Sequence, residues 1–272
     1  MLNMKTSLII STYNWPEALT LCLKSVAAQS RRPDEVLVAD DGSRGETRRT
    51  VMQIAEACSL PLRHIWHEDN GFRLSAIRNR AMAAASGDYI IQIDGDLILH
   101  PDFVADHIRM ADRGWFVVGS RAILGESLSR RLLGSAAALD AANPAPPAAI
   151  GALCGDVRNR LNAFRLPLLT GLLKNRRGHG ARGCNMAFWR DDVLTVNGYD
   201  ENMTGWGHED KEFAARLRNA GIGQHTLKFG GIVWHLHHRE AERSRENINL
   251  EMLHRTEREA LVRCENGIDK YL

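Results

Sequence analysis

Residues 89–96 read YIIQIDGD. Tyr89–Ile93 is a short apolar run rich in residues that favour strands, and it predicts a buried strand. It stops abruptly at Asp94-Gly95-Asp96. Towards the N-terminus, Lys5–Ser11 (KTSLIIS), Glu35–Ala39 (EVLVA) and Leu62–His67 have the same character. Helical patterns fall between them, at Pro16–Gln29, Glu46–Ser59 and Ser75–Ala85; in the first, Leu19, Leu23, Val26 and Ala27 recur at helical spacing. Beyond the quoted run, Pro101–Arg113 predicts a helix and Trp115–Gly119 a fifth strand. Strands alternating with helices mean an α/β chain with a parallel sheet covered on both faces. Ligands of such sheets sit at the carboxyl ends of the strands, which is where the polar clusters lie.

The alternation breaks after Arg121. Gly125–Gly155 is rich in Ala and Pro and predicts an irregular or partly helical excursion. Regular structure is expected again at Cys184–Trp189 (strand), Asp191–Val196 and Glu209–Ala220 (helices), and Gln224–Leu227 and Gly231–His235 (short strands). Arg239–Arg263 reads as a mixed-charge helix with Ile248, Met252 and Leu261 as its apolar stripe. Val157–Arg190 holds seven Arg and one Lys with no Asp or Glu. Leucines are interleaved with these cations, which suits contact with an anionic membrane surface or a lipid-linked acidic acceptor. Pro167 and Gly171 interrupt any long helix there, so a mobile lid over the acceptor side is expected.

The chain has 272 residues, enough for a sizeable core in one large domain or two small ones. Lys+Arg 35 against Asp+Glu 33 gives +2, which argues against nucleic acid as a partner. The longest apolar stretch without charges, Ala141–Gly155, carries three prolines that interrupt it and is too short to span a bilayer. The opening residues are too short and polar an apolar run for a signal peptide. Five cysteines without a C-x-x-C pair fit a reduced, cytoplasmic compartment.

Five clusters carry chemistry. Asp94 and Asp96, parted by a glycine, can offer oxygens to a divalent cation; D-G is equally a common turn pair. Asp40-Asp41-Gly42-Ser43 ends the neighbouring strand and is either a ligand-binding carboxylate pair or an Asx-turn. Gly205-Trp206-Gly207-His208-Glu209-Asp210 opens a helix: acids there are ordinary dipole partners, yet the Gly-Trp-Gly before them suits a sugar ring beside a carboxylate base. Trp234-His235-Leu236-His237-His238 places His235 and His237 on one face if the strand continues, as metal ligands or as a solvated or core pair. Arg78 and Arg73, near Asn70-Gly71 and Asn79, are forked donors for phosphate or ordinary surface arginines.

Taken together, these motifs resemble the family 2 glycosyltransferases of the GT-A fold over roughly Lys5–Arg121 and Gly183–His238. The opening SLIISTYNWPEALTLCLKSV, the strand-end DDGS and the DGD triplet carry the likeness jointly. GCNMAFWRDDVLTVNGYDENMTGWGHEDKEF further resembles the acceptor-side motif of bacterial chondroitin-polymerase-type and β-1,4-galactosyltransferase enzymes. The resemblance implies a GT-A-type single domain, with a Rossmann-like doubly wound, mostly parallel sheet, an insertion and a C-terminal helix. It divides the chain into a nucleotide-sugar half (residues 1–121), an insertion or lid (122–182), an acceptor-binding and catalytic half (183–238) and a helical extension (239–272).

The roles implied follow position by position. Thr12 and Asp40 or Asp41 contact the uridine, Arg78 lies near the donor, and Asp94 approaches the ribose. Asp96 holds a divalent cation, manganese in preference to magnesium, with His235 as second ligand and His237 as fallback. Trp206 and Glu209 hold the acceptor, and Asp210 is the base, with Glu209 beside it. The implied reaction is inverting transfer of a hexose or N-acetylhexosamine from a UDP-sugar to a glycan or glycolipid hydroxyl, in bacterial surface polysaccharide or lipopolysaccharide synthesis. It would take place in the cytoplasm, at or near the inner face of the membrane. A sugar-phosphate nucleotidyltransferase would instead carry a Gly-rich basic loop after its first strand, where this chain has STYNWP. A non-catalytic nucleotide-sugar-binding module would not need Asp96, Asp210 and His235 together.

Overall fold

The computed structural model describes residues 4–135, 156–173, 180–239 and 242–272. Its first half alternates β1 (Thr6–Thr12), α1 (Pro16–Ala27), β2 (Glu35–Asp40), α2 (Gly45–Cys58), β3 (Leu62–Trp66), α3 (Leu74–Ala84) and β4 (Tyr89–Asp94). There follow β5 (Leu97–Leu99), α4 (Phe103–Arg109), β6 (Trp115–Gly119), β7 (Ala122–Leu124), α5 (Glu126–Ser135), β8 (Val157–Arg158) and α6 (Pro167–Leu173). The chain ends with β9 (Asn185–Trp189), α7 (Arg190–Val196), α8 (Glu209–Asn219), β10 (Gly223–Leu227), β11 (Val233–His235) and α9 (Glu246–Arg258).

The main sheet has seven strands in the order β10-β6-β9-β4-β1-β2-β3. Neighbours run parallel except β9, which is antiparallel to β4 and β6. Strand side chains alternate faces, and the apolar runs feed two cores. Leu8 and Ile10 pack with Leu19, Leu23 and Val26 of α1, while Ile9 packs with Ile77 and Ala81 of α3 and Phe213 and Leu217 of α8. The sheet is thus doubly wound and mostly parallel, as expected. Because β9 inserts between β6 and β4 and β10 pairs with β6 at the edge, both halves of the chain share one sheet.

A second sheet, β5-β11-β7-β8, was not anticipated. Its strands are three residues or fewer, too short to show a two-residue period. They hold together by burying Ile98, Leu124, Trp234 and Leu236 against Leu128 of α5. This sheet matters for the site, because β5 starts directly after Asp94-Gly95-Asp96 and pairs antiparallel with β11, setting Leu97 opposite His235.

Part of the expected lid is anchored. Arg165 grips the buried Asp106 with Nε and Nη2 at 3.0 and 2.8 Å and reaches Asp102 at 3.1 Å. The Leu166 amide and Thr170 Oγ1 both donate to the Phe229 carbonyl, at 2.9 and 3.0 Å. Residues 165–170 are therefore tied to the catalytic body; residues 136–155 and 174–179, with Lys174, Arg176 and Arg177, lie outside the described residues.

The C-terminal helix is shorter than its charge pattern predicts, and its buried face is different. Asn249, Leu253 and Thr256 face inward, and Ile248 is exposed. Two of the three inward positions are polar and satisfied: Thr256 donates to Glu212 at 2.9 Å, and Asn249 bonds two carbonyls of the preceding loop. A stripe sought only among apolar residues is rotated off this face.

Candidate active site

The β-sheet carboxyl ends open into a cavity of about 680 Å³. Thr12, Asp41, Arg78, Asp94, Asp96, Trp206, Glu209, Asp210 and His235 all line it. Asp40 does not. It accepts from the Ser43 amide at 2.8 Å and from His64 Nε2 at 2.8 Å, closing the turn beneath the cavity floor. Asp41 faces the cavity edge with Oδ1 on His67 at 2.6 Å and Oδ2 on the Arg73 amide at 2.9 Å. Gly42 adopts φ +97°, and a Cβ there would lie 2.5 Å from the Asp69 Cα, so this turn requires glycine.

Arg78 is the hub. Buried on α3, it donates to Asp94 at 3.1 Å, Glu209 at 3.4 Å and Ser11 Oγ at 3.3 Å, and its guanidinium lies 5.2 Å from the Tyr199 ring centre. One cation thus ties the end of β4 to the acid pair at the start of α8. Burial raises the Asp94 carboxyl, with Asp96 adding to it and Arg78 opposing. Burial and the neighbouring Asp210 raise Glu209 to about 7, again against Arg78. Asp210 Oδ2 accepts from the Gly183 amide at 2.6 Å, which fixes its carboxylate at the cavity wall.

Asp96, His235 and His238 converge, with ligand atoms all within 4.8 Å of one another. The Nε2 atoms of His235 and His238 lie 3.3 and 3.1 Å from Asp96 Oδ2. Each ring donates Nδ1–H to a carbonyl, His235 to Leu236 at 2.8 Å and His238 to Arg239 at 2.7 Å. A carbonyl only accepts, so Nδ1 carries a proton in each ring and Nε2 is the atom left to act as a ligand; His238 as an imidazolium donates Nε2–H to Asp96, and a cation would take the place of that proton. Asp96 Oδ1 is buried with no hydrogen-bond partner. An orphaned carboxylate oxygen beside two aimed imidazole nitrogens fits a divalent cation.

Burial works to raise Asp96, but the hydrogen bond from His238 and the charges of His235, His238 and Arg121 hold it below the ordinary range. His238 in turn is raised to about 9 by its bond to Asp96. His237, the fallback, is not in the cluster. The strand ends at His235, so the two-residue period lapses and the chain brings back the third residue, not the second. Residues the sequence reading missed include His238, Tyr13, Trp15 and Arg121, all lining the cavity. Among the described residues Arg121 reaches the Cys184 thiol, at 3.6 Å, and its buried Nε has no partner there. Its one signal was its position just past a strand end.

The Gly-Trp-Gly loop is built on unusual backbone. Gly205, Gly207 and His208 have φ of +73°, +114° and +70°. Asn249 of α9 holds it by donating to the Thr204 and Gly207 carbonyls at 3.2 and 3.0 Å. Trp206 sits under the Arg243 guanidinium, 4.5 Å from its ring centre.

The model of glycosyl transferase family 2 matches residues 7–195. The chain belongs to that family. A second model, the N-terminal domain of galactosyltransferase, matches residues 173–239, the stretch that carries the acid pair and His235. This glycosyltransferase is 29% identical over 233 residues to validoxylamine A glucosyltransferase of Streptomyces hygroscopicus subsp. limoneus, covering 79% of this chain and 48% of that one. It is 26% identical over 238 residues to chondroitin synthase of Escherichia coli, covering 84% and 34%. The chain therefore spans about a third to a half of the length of these curated relatives.

Among solved structures, it resembles the mannosyltransferase PcManGT of Pyrobaculum calidifontis, determined with GDP-Man and Mn2+ (TM-score 0.59, 17% identity, 95% of this chain and 72% of that one). It also resembles GalNAc-T7, determined with UDP, GalNAc and Mn2+ (TM-score 0.62, 14% identity, 88% and 45%). At such identities the likeness establishes the GT-A-type fold.

Proposed function

We propose that this glycosyltransferase moves a hexose or N-acetylhexosamine from a UDP-sugar to a hydroxyl of a glycan or lipid-linked glycan, with inversion and with a divalent cation. One observation carries the reading: the Asp96–His235–His238 cluster and the Glu209–Asp210 pair line the same cavity. Asp96, His235 and His238 would hold the cation, manganese in preference to magnesium. Such an ion neutralises charge on a leaving nucleoside diphosphate. The manganese in both structural neighbours and the UDP in one of them support this reading.

The remaining work falls to the chain's own residues. Thr12 and Asp41 take the uridine end, with Asp94 near the ribose and Arg78 fixing Asp94. Trp206 and Glu209 hold the acceptor. Asp210, positioned by the Gly183 amide, takes the proton of the attacking hydroxyl. Attack from the acceptor side opposite the diphosphate inverts the anomeric centre without a covalent intermediate. We assign residues 1–121 to donor binding, 183–238 to acceptor binding and catalysis, and the flanking 122–182 and 239–272 to shaping the acceptor side. The place of action is the cytoplasm at the inner face of a membrane, in the synthesis of a bacterial surface polysaccharide or lipopolysaccharide.

A panel of UDP-sugars with manganese tests this. Slow UDP release from at least one donor is expected. Release of pyrophosphate from a sugar phosphate and nucleoside triphosphate would mean nucleotidyl transfer, and no turnover of any donor would mean a binding module.

A further inference from the structure

We infer that the leucine-rich face of residues 161–172 seats this enzyme on an anionic lipid bilayer. The lipid-linked acceptor gives this contact its purpose, so the inference rests on the proposed function in that respect. Its physical basis is separate. Among the described residues, fourteen large hydrophobic side chains are exposed, and six of them fall within these twelve positions. Leu161, Leu168 and Leu172 are 68%, 89% and 79% exposed, with Phe164, Leu166 and Leu169 beside them. Single exposed leucines are ordinary, but a contiguous apolar patch marks an interaction surface.

The patch is held outward by design of the segment. Leu168 and Leu172 are four residues apart on α6, hence on one face, while Thr170 is buried and bonded to Phe229. The paired Arg165 anchors the segment to Asp102 and Asp106. In sequence the segment lies between residues that line the cavity, Arg158 before it and Ala181 and Arg182 after it.

Charge selects the occupant. From Val157 to Arg190 there are eight cations and no acid. Arg165 is neutralised by its aspartates, and Arg158 and Arg182 are exposed. A second copy docked by a two-fold axis would bring this same cationic face against itself, which like-charge repulsion opposes. Leucines entering the acyl boundary, with cations among anionic headgroups, suit an interfacial contact.

Co-sedimentation with vesicles tests the inference. The protein should bind phosphatidylglycerol-containing vesicles, about tenfold or more weaker on pure phosphatidylcholine, and lose affinity as salt rises. Leu168→Ser/Leu172→Ser should lower vesicle affinity by about tenfold or more, leaving thermal midpoint and soluble UDP release unchanged. If the double variant does not fold, Leu168→Ser alone carries the comparison. No binding by the unaltered protein, or equal binding by the variant, overturns the inference. So does a wild-type dimer that the variant converts to a monomer while vesicle binding persists. Leucine-dependent vesicle binding by a protein that turns over no UDP-sugar would sink the proposed function and still support this face.

Discussion

At the scale of single residues, the chemistry is divided by which groups the fold leaves available. Asp210 has one oxygen fixed by the Gly183 amide, so Asp210→Asn should keep UDP affinity while lowering turnover by about 10²–10⁴-fold. Steady-state kinetics beside calorimetry check this; near-normal turnover would move the base to Glu209. Among the histidines, His238→Ala should weaken Mn2+ binding by about tenfold or more and His237→Ala should leave it unchanged, as read by manganese electron paramagnetic resonance. The reverse order would restore the alternating-strand assignment.

Glu209 sets a pH dependence. Its folded pKa, raised to about 7, lies above the ordinary value near 4.5, so folding favours the protonated acid. The stability from this group is full below that ordinary value and is lost as pH rises through 7. Glu209→Gln should therefore stabilise the protein at pH 8, by on the order of 1–3 kcal/mol, and do little at pH 5. Thermal melts at the two pH values measure it, and equal effects at both would contradict the assignment.

At the scale of elements, short strands and a helix build the site. The antiparallel pairing of Leu97–Leu99 with Val233–His235 is what delivers His235 to Asp96. The sequence shows both ends of that contact, the acid triplet and the histidine run, but not the pairing. Runs of three residues have no measurable period, and where a strand ends decides whether His237 or His238 returns to the metal side. The long elements were legible because each has enough residues for its period to repeat, as in Leu19, Leu23 and Val26. The supporting role of Glu246–Arg258 was hidden for another reason: its inward face is partly polar, so hydrophobicity misplaces it. Asn249→Ala should remove both bonds to the Gly-Trp-Gly loop, costing about 1–3 kcal/mol. It should also raise the acceptor KM while leaving UDP affinity intact. A loss of UDP affinity instead would place the loop on the donor side.

At the scale of the whole molecule, one sheet brings together clusters that are more than a hundred residues apart in sequence, as Arg78 and Glu209 are. Arg78 joins Asp94 to Glu209, so carboxylates from β4 and from the start of α8 share a cation inside one cavity. The cavity's place was readable from strand-end carboxylates, since ligands of a parallel sheet collect there, and Asp41, Asp94 and Asp96 do line it. The Gly-Trp-Gly and acid motif was readable as a further cluster, and it does line the cavity, whereas Gly125–Arg182 shows no period from which its structure could be read. The central claim is that Asp96 belongs to a cation site that receives the nucleoside diphosphate. Calorimetric titration of UDP into the protein and into Asp96→Ala, each with and without Mn2+, tests it most directly. The account predicts that manganese strengthens UDP binding in the unaltered protein and that the variant, folded by circular dichroism, loses this gain. The same manganese-dependent UDP affinity in Asp96→Ala would contradict it.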